Sequence, residues 1–255
     1  MYRILSLAPS NTEILFALGA GDRVVGVTNL CDYPLEAQQL PKIGSWIHQQ
    51  DTAAFDQLKP DLILTSMFVP QTVKGWADRN GVKLVNVYPQ TIAGVYDSIL
   101  EIGELVQRDT EAERVVAEMR KEFTQIQQRA VQFPHHPRIY TEEYHIPPTV
   151  AVNWVPELIA MAGGKPMALP GKLSYAVTSE QVAAFDPELI VLHWCGFGQL
   201  QNPELVHKRE GWKYLRAVRE NRICAIDDTF LNRPGPRLWR GAELLQHAIR
   251  QILNP

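Results

Sequence analysis

Seven short apolar runs recur along the chain: RILSLA (3–8), VVGVT (24–28), DLILTS (61–66), KLVNVY (83–88), RIYTEE (138–143), ELIVLH (188–193) and RICAID (222–227). Helical stretches separate them. Runs rich in branched residues and lacking strict alternation predict strands buried on both faces, and their alternation with helices predicts an α/β fold with mostly parallel strands. Between the fourth and fifth runs lies TEAERVVAEMRKEFTQIQQRAV, Thr110 to Val131, apolar at Val115, Val116, Met119, Phe123 and Ile126. That spacing is helical, with a polar opposite face. At 1.5 Å per residue the segment reaches about 33 Å, enough to span two lobes, and FPHHP (133–137) stops it.

The halves on either side share a pattern. Glu13-Ile14-Leu15 leads to Gly19-Ala20 as Glu157-Leu158-Ile159 leads to Gly163-Gly164, and LKPDLIL (58–64) parallels FDPELIV (185–191). Arg3-Ile4 matches Arg138-Ile139, and Gly75-Trp76 before one strand matches Gly211-Trp212 before another. Matches in the same order predict two α/β lobes joined by a single long backbone helix, with a ligand cleft between the lobes. The expected boundaries are 1–109 for the N-terminal lobe, 110–132 for the bridging helix and 133–255 for the C-terminal lobe. The competing reading is one doubly wound domain whose turns repeat because αβ connections need similar residues.

Open α/β sheets bind ligands past the carboxyl ends of their strands, so the loops there carry the candidate site. They are rich in aromatic residues. Tyr33, Trp46, Phe68, Tyr144, Trp194, Phe197 and Phe230 are candidate walls, with Asn29, Asp32, His193, Asn232 and Arg237 as polar handles. Such a lining suits a broad, partly apolar ligand fringed by hydrogen-bonding groups. The segment DDTFLNRPGPRLWRG, Asp227 to Gly241, is expected to close one wall, with Pro234 and Pro236 stiffening it. Trp154 and Trp212 sit inside helical patterns and are assigned to the core, and SNTE (10–13) predicts a helix capped by Ser10 or Asn11.

Composition narrows the picture without naming a ligand. The 255 residues are 45% apolar and 21% charged, with a formal charge of −3, which is globular and gives no footing for nucleic acid. No apolar run is long enough to span a bilayer. The expected compartment is cytoplasmic if Met1 is the natural start, and periplasmic or extracytoplasmic if a leader was removed. The 3 cysteines, Cys31, Cys195 and Cys224, fit reduced thiols, with a single bridge as the alternative.

The same residues bear on enzymatic and metal-binding chemistry. Cys31 beside Asp32, with His193 and Cys195, is a candidate nucleophile and base, but no nucleophile elbow, glycine-rich phosphate loop or paired-carboxylate motif accompanies it. His193, Cys195, Cys31 and the pair His135-His136 offer donors without the CxxC or HExxH spacing of a zinc site. The expectation is a protein that is not an enzyme and has no resident cofactor or metal.

Several segments carry a family resemblance: RILSLAPSNTEILFALGAGDRVVGVT followed by CDYP, then KPDLIL, NWVPELIAMAGG and NRPGPRL. Together they resemble the cobalamin-binding, substrate-binding proteins of ABC importers, and more broadly the helical-backbone class III periplasmic binding proteins that also handle iron-siderophores and haem. The resemblance covers nearly the whole chain. It implies two lobes bridged by one helix and a cobalamin or other metal-chelate macrocycle as the small-molecule ligand, with an iron-siderophore or haem as the alternative. It assigns Tyr33, Trp46 and the loop at Thr229-Phe230 to the ligand. Two tryptophans of well-known corrinoid binders are absent, with Thr229 at one place and Ser66-Met67-Phe68 at the other. The resemblance also implies an ABC permease as partner, docked through an acidic residue on each lobe; the corresponding positions read Pro70-Gln71-Thr72 and Leu231-Asn232-Arg233, without an acid. A monomer is expected.

Overall fold

A computed structural model of the chain describes residues 1–44 and 52–253. The chain divides into two compact units, one of Met1–Pro89 with Ala93–Glu118, the other of Gln90–Ile92 with Met119–Pro255. In the first, β1 (Ile4–Ser6), α1 (Pro9–Ala17), β2 (Val24–Val27), α2 (Thr52–Leu58), β3 (Leu62–Ser66), α3 (Gln71–Asn80), β4 (Lys83–Val87) and α4 (Ile92–Leu105) follow one another. Their strands form a parallel sheet in the order β2-β1-β3-β4. The β1 run is wholly buried, as the unbroken apolar pattern of a strand covered on both faces requires. Leu5, Ile63, Val73, Phe55 and Trp76 share one core cluster.

The long helix α5 (Asp109–Ala130) starts and ends one residue before the Thr110–Val131 span. Val115, Val116, Met119, Phe123 and Ile126 are all buried. Its residues through Glu118 group with the first unit and those from Met119 with the second.

The second unit continues with β5 (Arg138–His145), β6 (Pro148–Val150), α6 (Val155–Met161), β7 (Lys165–Pro166), β8 (Tyr175–Ala176), α7 (Ser179–Phe185), β9 (Leu189–Leu192), α8 (Glu204–His207), α9 (Arg216–Arg219), β10 (Ile223–Ala225) and α10 (Leu238–Leu253). Its sheet runs β10-β9-β5-β6-β8, with β7 also paired to β5. The strand-end loop expected to carry Tyr144, EEYHIPP (142–148), departs from expectation. Rather than forming a loop, it extends β5 to His145 and then folds back through a cis Ile146–Pro147 bond into antiparallel β6.

The internal repeat has a structural counterpart. Trp76 and Trp212 are both buried, and each meets an aromatic ring edge-on: Phe55 at 5.3 Å and Tyr140 at 5.6 Å. Each also satisfies its indole N–H, on Asp56 and on Ser179 respectively, as buried tryptophans usually must. Gly19 and Gly163 both hold positive φ, which costs glycine little.

The expected cap of α1 is absent. The helix begins at Pro9 after Ala8, with no side-chain cap, because proline in the first turn removes an N–H that would need a partner. Ser10 and Asn11 lie inside the helix, and the Asn11 amide instead donates to the Thr65 carbonyl at 2.9 Å, tying α1 to β3.

Candidate functional site

In the first unit the strand-end loops present Asn29, Asp32 and Tyr33 after β2, all exposed. Phe68, after β3, is 57% exposed. Its position is held by the backbone: Met67 adopts φ +63°, and the Phe68 N–H donates to the Ser66 carbonyl at 2.7 Å. A three-residue turn with a left-handed methionine is strained, and strain of this kind persists only where surrounding structure fixes it. Trp46 lies outside the described residues.

Beneath these loops Cys31 is buried, with its sulfur 3.2 Å from both the Thr12 and Thr28 hydroxyls. Burial pushes its thiol above the ordinary value against the pull of those hydroxyls. Cys31 is therefore a packed thiol and not an activated nucleophile. The three cysteines are free.

In the second unit the sequence candidates divide. Tyr144 is 45% exposed and Phe197 half-buried. Both rings meet His145, at 5.3 and 5.4 Å. Trp194, expected on the wall, is 1% exposed and belongs to the core; its face packs on His145 at 4.7 Å and its N–H donates inward to Glu142 at 3.0 Å. The strand-end loop thus folds Trp194 under, against Glu142 and His145.

The Asp227–Gly241 segment opens as a short 3-10 turn, Asp228–Phe230, capped by the Asp227 carboxylate on the Thr229 N–H. Phe230 and Arg237 are half-buried, with the guanidinium 5.2 Å from the ring centre. Asn232 is committed elsewhere: its carbonyl accepts from His193 Nδ1 at 2.6 Å and its amide donates to the His193 carbonyl at 3.0 Å. Asn232 thus positions a buried histidine and is not a spare handle.

Sequence reasoning missed Asp228, whose carboxylate accepts the N–H groups of Gly196 and Gly198 at 2.9 and 2.7 Å and so fixes the loop bearing Phe197. Burial raises its pKa despite those two donors. It also missed the Glu142–Arg209 pair and Glu143; the two glutamates lie in the last half of β5 and Arg209 just past α8. Among the described residues no group of three His, Cys, Asp or Glu side chains is placed to hold a metal ion, and no helix is long and apolar enough to cross a membrane.

Two α/β units sharing one long helix, with aromatic loops at the strand ends, define the class III architecture of substrate-binding proteins of the ABC-importer type. The chain belongs to the periplasmic binding protein family, whose pattern it matches over residues 4–229. It is 30% identical to an uncharacterized ABC transporter substrate-binding lipoprotein, YvrC, of Bacillus subtilis (strain 168), over 97% of this chain and 79% of that protein. It is 26% identical to a vitamin B12-binding protein of Photorhabdus laumondii, over 95% of this chain and 86% of the relative. Among solved structures it is similar to the periplasmic heme-binding protein RhuT from Roseiflexus sp. RS-1 in apo form, with a TM-score of 0.85, 26% identity and 99% coverage of both chains. Family membership implies a small-molecule ligand and a membrane permease as partner.

Proposed function

We propose that this protein, acting as a monomer, captures a cobalamin-like corrinoid with its strand-end loops, for ABC-type uptake or intracellular handling, and releases it chemically unchanged. The observation that carries the reading is the exposure of aromatic rings at strand ends within each unit: Tyr33 and Phe68 in one, Tyr144 in the other. Exposed aromatic rings cost free energy in water and gain it against a flat, partly apolar macrocycle. The strained turn at Met67 holds Phe68 in that exposed position before any ligand arrives, which lowers the ordering cost of binding. Similarity to a vitamin B12-binding protein along almost the whole chain supports the same class. The remaining assigned contacts are Asn29, Asp32, Trp46, Phe197, Phe230 and Arg237.

A second reading, haem or an iron-siderophore on the same scaffold, is favoured by the similarity to a heme-binding protein and by the exposed Tyr33 phenol. Calorimetric titration with aquocobalamin, cyanocobalamin, haem and a ferric siderophore, with visible spectra recorded alongside, separates the two. The corrinoid reading expects saturable one-to-one binding of both cobalamins, weakened about tenfold by Trp46→Ala, Phe68→Ala or Phe230→Ala, as loss of one stacking face predicts. Binding of haem or siderophore alone overturns the corrinoid assignment.

A further inference from the structure

Three aromatic rings of the second unit close around one histidine, His145, at the end of β5. The half-buried imidazole packs on Trp194 with ring centres 4.7 Å apart and 33° between the planes. It meets Tyr144 at 5.3 Å and Phe197 edge-on at 5.4 Å. The backbone is held as well. The His145 carbonyl accepts from Arg209, whose guanidinium is bound by the buried Glu142, and Glu142 also takes the Trp194 N–H. A side chain locked by packing and by the hydrogen bonds of its neighbours is set in place before a ligand arrives.

The two ring nitrogens differ in their surroundings. Nδ1 is buried and has no hydrogen-bond partner among the described residues. Nε2 makes no hydrogen bond to a described residue either, yet it is not closed off, and it is the nitrogen through which the half-buried ring reaches solvent. A neutral imidazole carries its proton on one nitrogen and a lone pair on the other. Buried N–H groups without an acceptor are rarer in proteins than acceptors without a donor, so the proton belongs on Nε2. That tautomer leaves an N–H at the accessible edge of a ring in contact with Tyr144 and Phe197. It also leaves Nε2 without a lone pair for a metal ion, because ligation there would move the proton to Nδ1, where nothing accepts it.

We infer that His145 is a specificity-determining contact that donates its Nε2 hydrogen to an acceptor oxygen on the rim of the ligand, and that it does not ligate the ligand's metal. This rests on the corrinoid reading, in which Tyr144 and Phe197 are ligand contacts. An acceptor lying against those two rings comes within reach of the same imidazole. A cobalamin carries two kinds of such oxygen, the carbonyls of its carboxamides and the phosphodiester of its nucleotide loop.

Cyanocobalamin and dicyanocobinamide, which lacks the nucleotide loop, are titrated into the wild type, His145→Phe and His145→Gln at about pH 8, where an ordinary imidazole is neutral. Phenylalanine keeps a ring against Trp194 and removes the donor; glutamine gives up the ring and restores an N–H. Thermal unfolding of each variant confirms its fold. His145→Phe is expected to weaken binding about fivefold to tenfold, as loss of one hydrogen bond predicts, and His145→Gln to recover most of that loss. A loss on both corrinoids identifies a carboxamide as the acceptor, and a loss on cyanocobalamin alone identifies the phosphodiester. Visible spectra of the aquocobalamin complexes are expected to be the same for all three proteins. Heteronuclear NMR of histidine-labelled protein, with the His145 signals assigned from their absence in His145→Gln, is expected to place the proton on Nε2. Wild-type affinity in His145→Phe, equal losses in the two variants, a cobalt spectrum that changes when His145 is replaced, or a proton on Nδ1 overturns the inference. If haemin binds and neither corrinoid does, the same pattern of affinities on haemin with an unchanged iron spectrum upholds the donor, now to a propionate, while the corrinoid reading falls. If no macrocycle binds, both fall.

Discussion

The Arg209 guanidinium grips the wholly buried Glu142 carboxylate with two hydrogen bonds, at 2.6 and 2.9 Å, across 67 residues of sequence. Glu142 also accepts from the Tyr140 hydroxyl at 2.8 Å and from Trp194. The Arg209 guanidinium lies over the Trp212 ring at 4.2 Å and donates to the His145 carbonyl. One ion pair therefore fixes the corner from which Tyr144 projects. Removing one member of a buried pair strands the other charge, at a cost of about 3–5 kcal/mol. Arg209→Met is expected to lower stability at the bottom of that range, because Tyr140 and Trp194 still serve Glu142. The double variant Glu142→Gln/Arg209→Met is expected to recover more than half of the loss. Urea denaturation of the wild type and both variants reads this directly, and a double variant less stable than Arg209→Met rules the explanation out.

Gly241 lets α10 approach the turn that bears Phe230. A Cβ there would run into the Phe230 carbonyl oxygen and press on Leu231, and the carbonyl, being backbone, cannot swing aside as a flexible side chain would. Gly241→Ala is expected to destabilise by about 1–3 kcal/mol, the usual range for overpacking. It is also expected to weaken ligand binding through displacement of Phe230. Normal stability with normal affinity would show that the turn has room to shift.

His193 makes stability depend on pH. Burial lowers its pKa from the ordinary 6.5, against the opposing pull of Glu143 and the Asn232 hydrogen bond. The unfolded chain then binds more protons than the folded one below that value. The contribution of His193 is therefore complete above pH 6.5 and is lost as pH falls from 6.5 toward the lowered folded value, with a slope of at most about 1.4 kcal/mol per pH unit. Unfolding free energies measured from about pH 8 to 5, the range that brackets an ordinary histidine, are expected to decline for the wild type and to flatten for His193→Gln. Equal slopes in the two proteins would assign the dependence to other groups.

The thiols are expected to be slow. Cys195 is pushed up to about 11 and Cys224 to about 12, both chiefly by burial, and Cys31 is raised for the same reason. At about pH 8 the thiolate fraction of Cys224 falls about 1,000-fold below that of an ordinary thiol near 9. A disulfide reagent at that pH is expected to react slowly with the native protein and rapidly with all three cysteines in urea. An immediate stoichiometric burst from native Cys31 would mark it as an activated group and reopen the enzymatic alternative.

The predicted strands all form, and α5 falls within one residue of its expected span, because both follow from local apolar periodicity that neighbouring residues alone encode. The paired Gly-Trp sites and the exposed Tyr33 and Phe68 were likewise legible, since loops at strand ends announce themselves by turn residues and aromatic content, whereas Tyr144 lies within β5, which runs on through the expected loop. What lay beyond the sequence was which polar groups would meet. Trp194 reads as a wall residue until Glu142 draws its N–H inward, and Asn232 reads as a handle until His193, 39 residues earlier, takes both ends of its amide. Glu142 and Glu143 are adjacent and chemically identical, yet one lies wholly buried against Arg209, Tyr140 and Trp194 and the other accepts from Ser174. Apolar patterning is a property of neighbours and survives in one dimension. Partnering of buried polar groups is decided by which distant segments the sheet brings together, and only the tertiary structure supplies it.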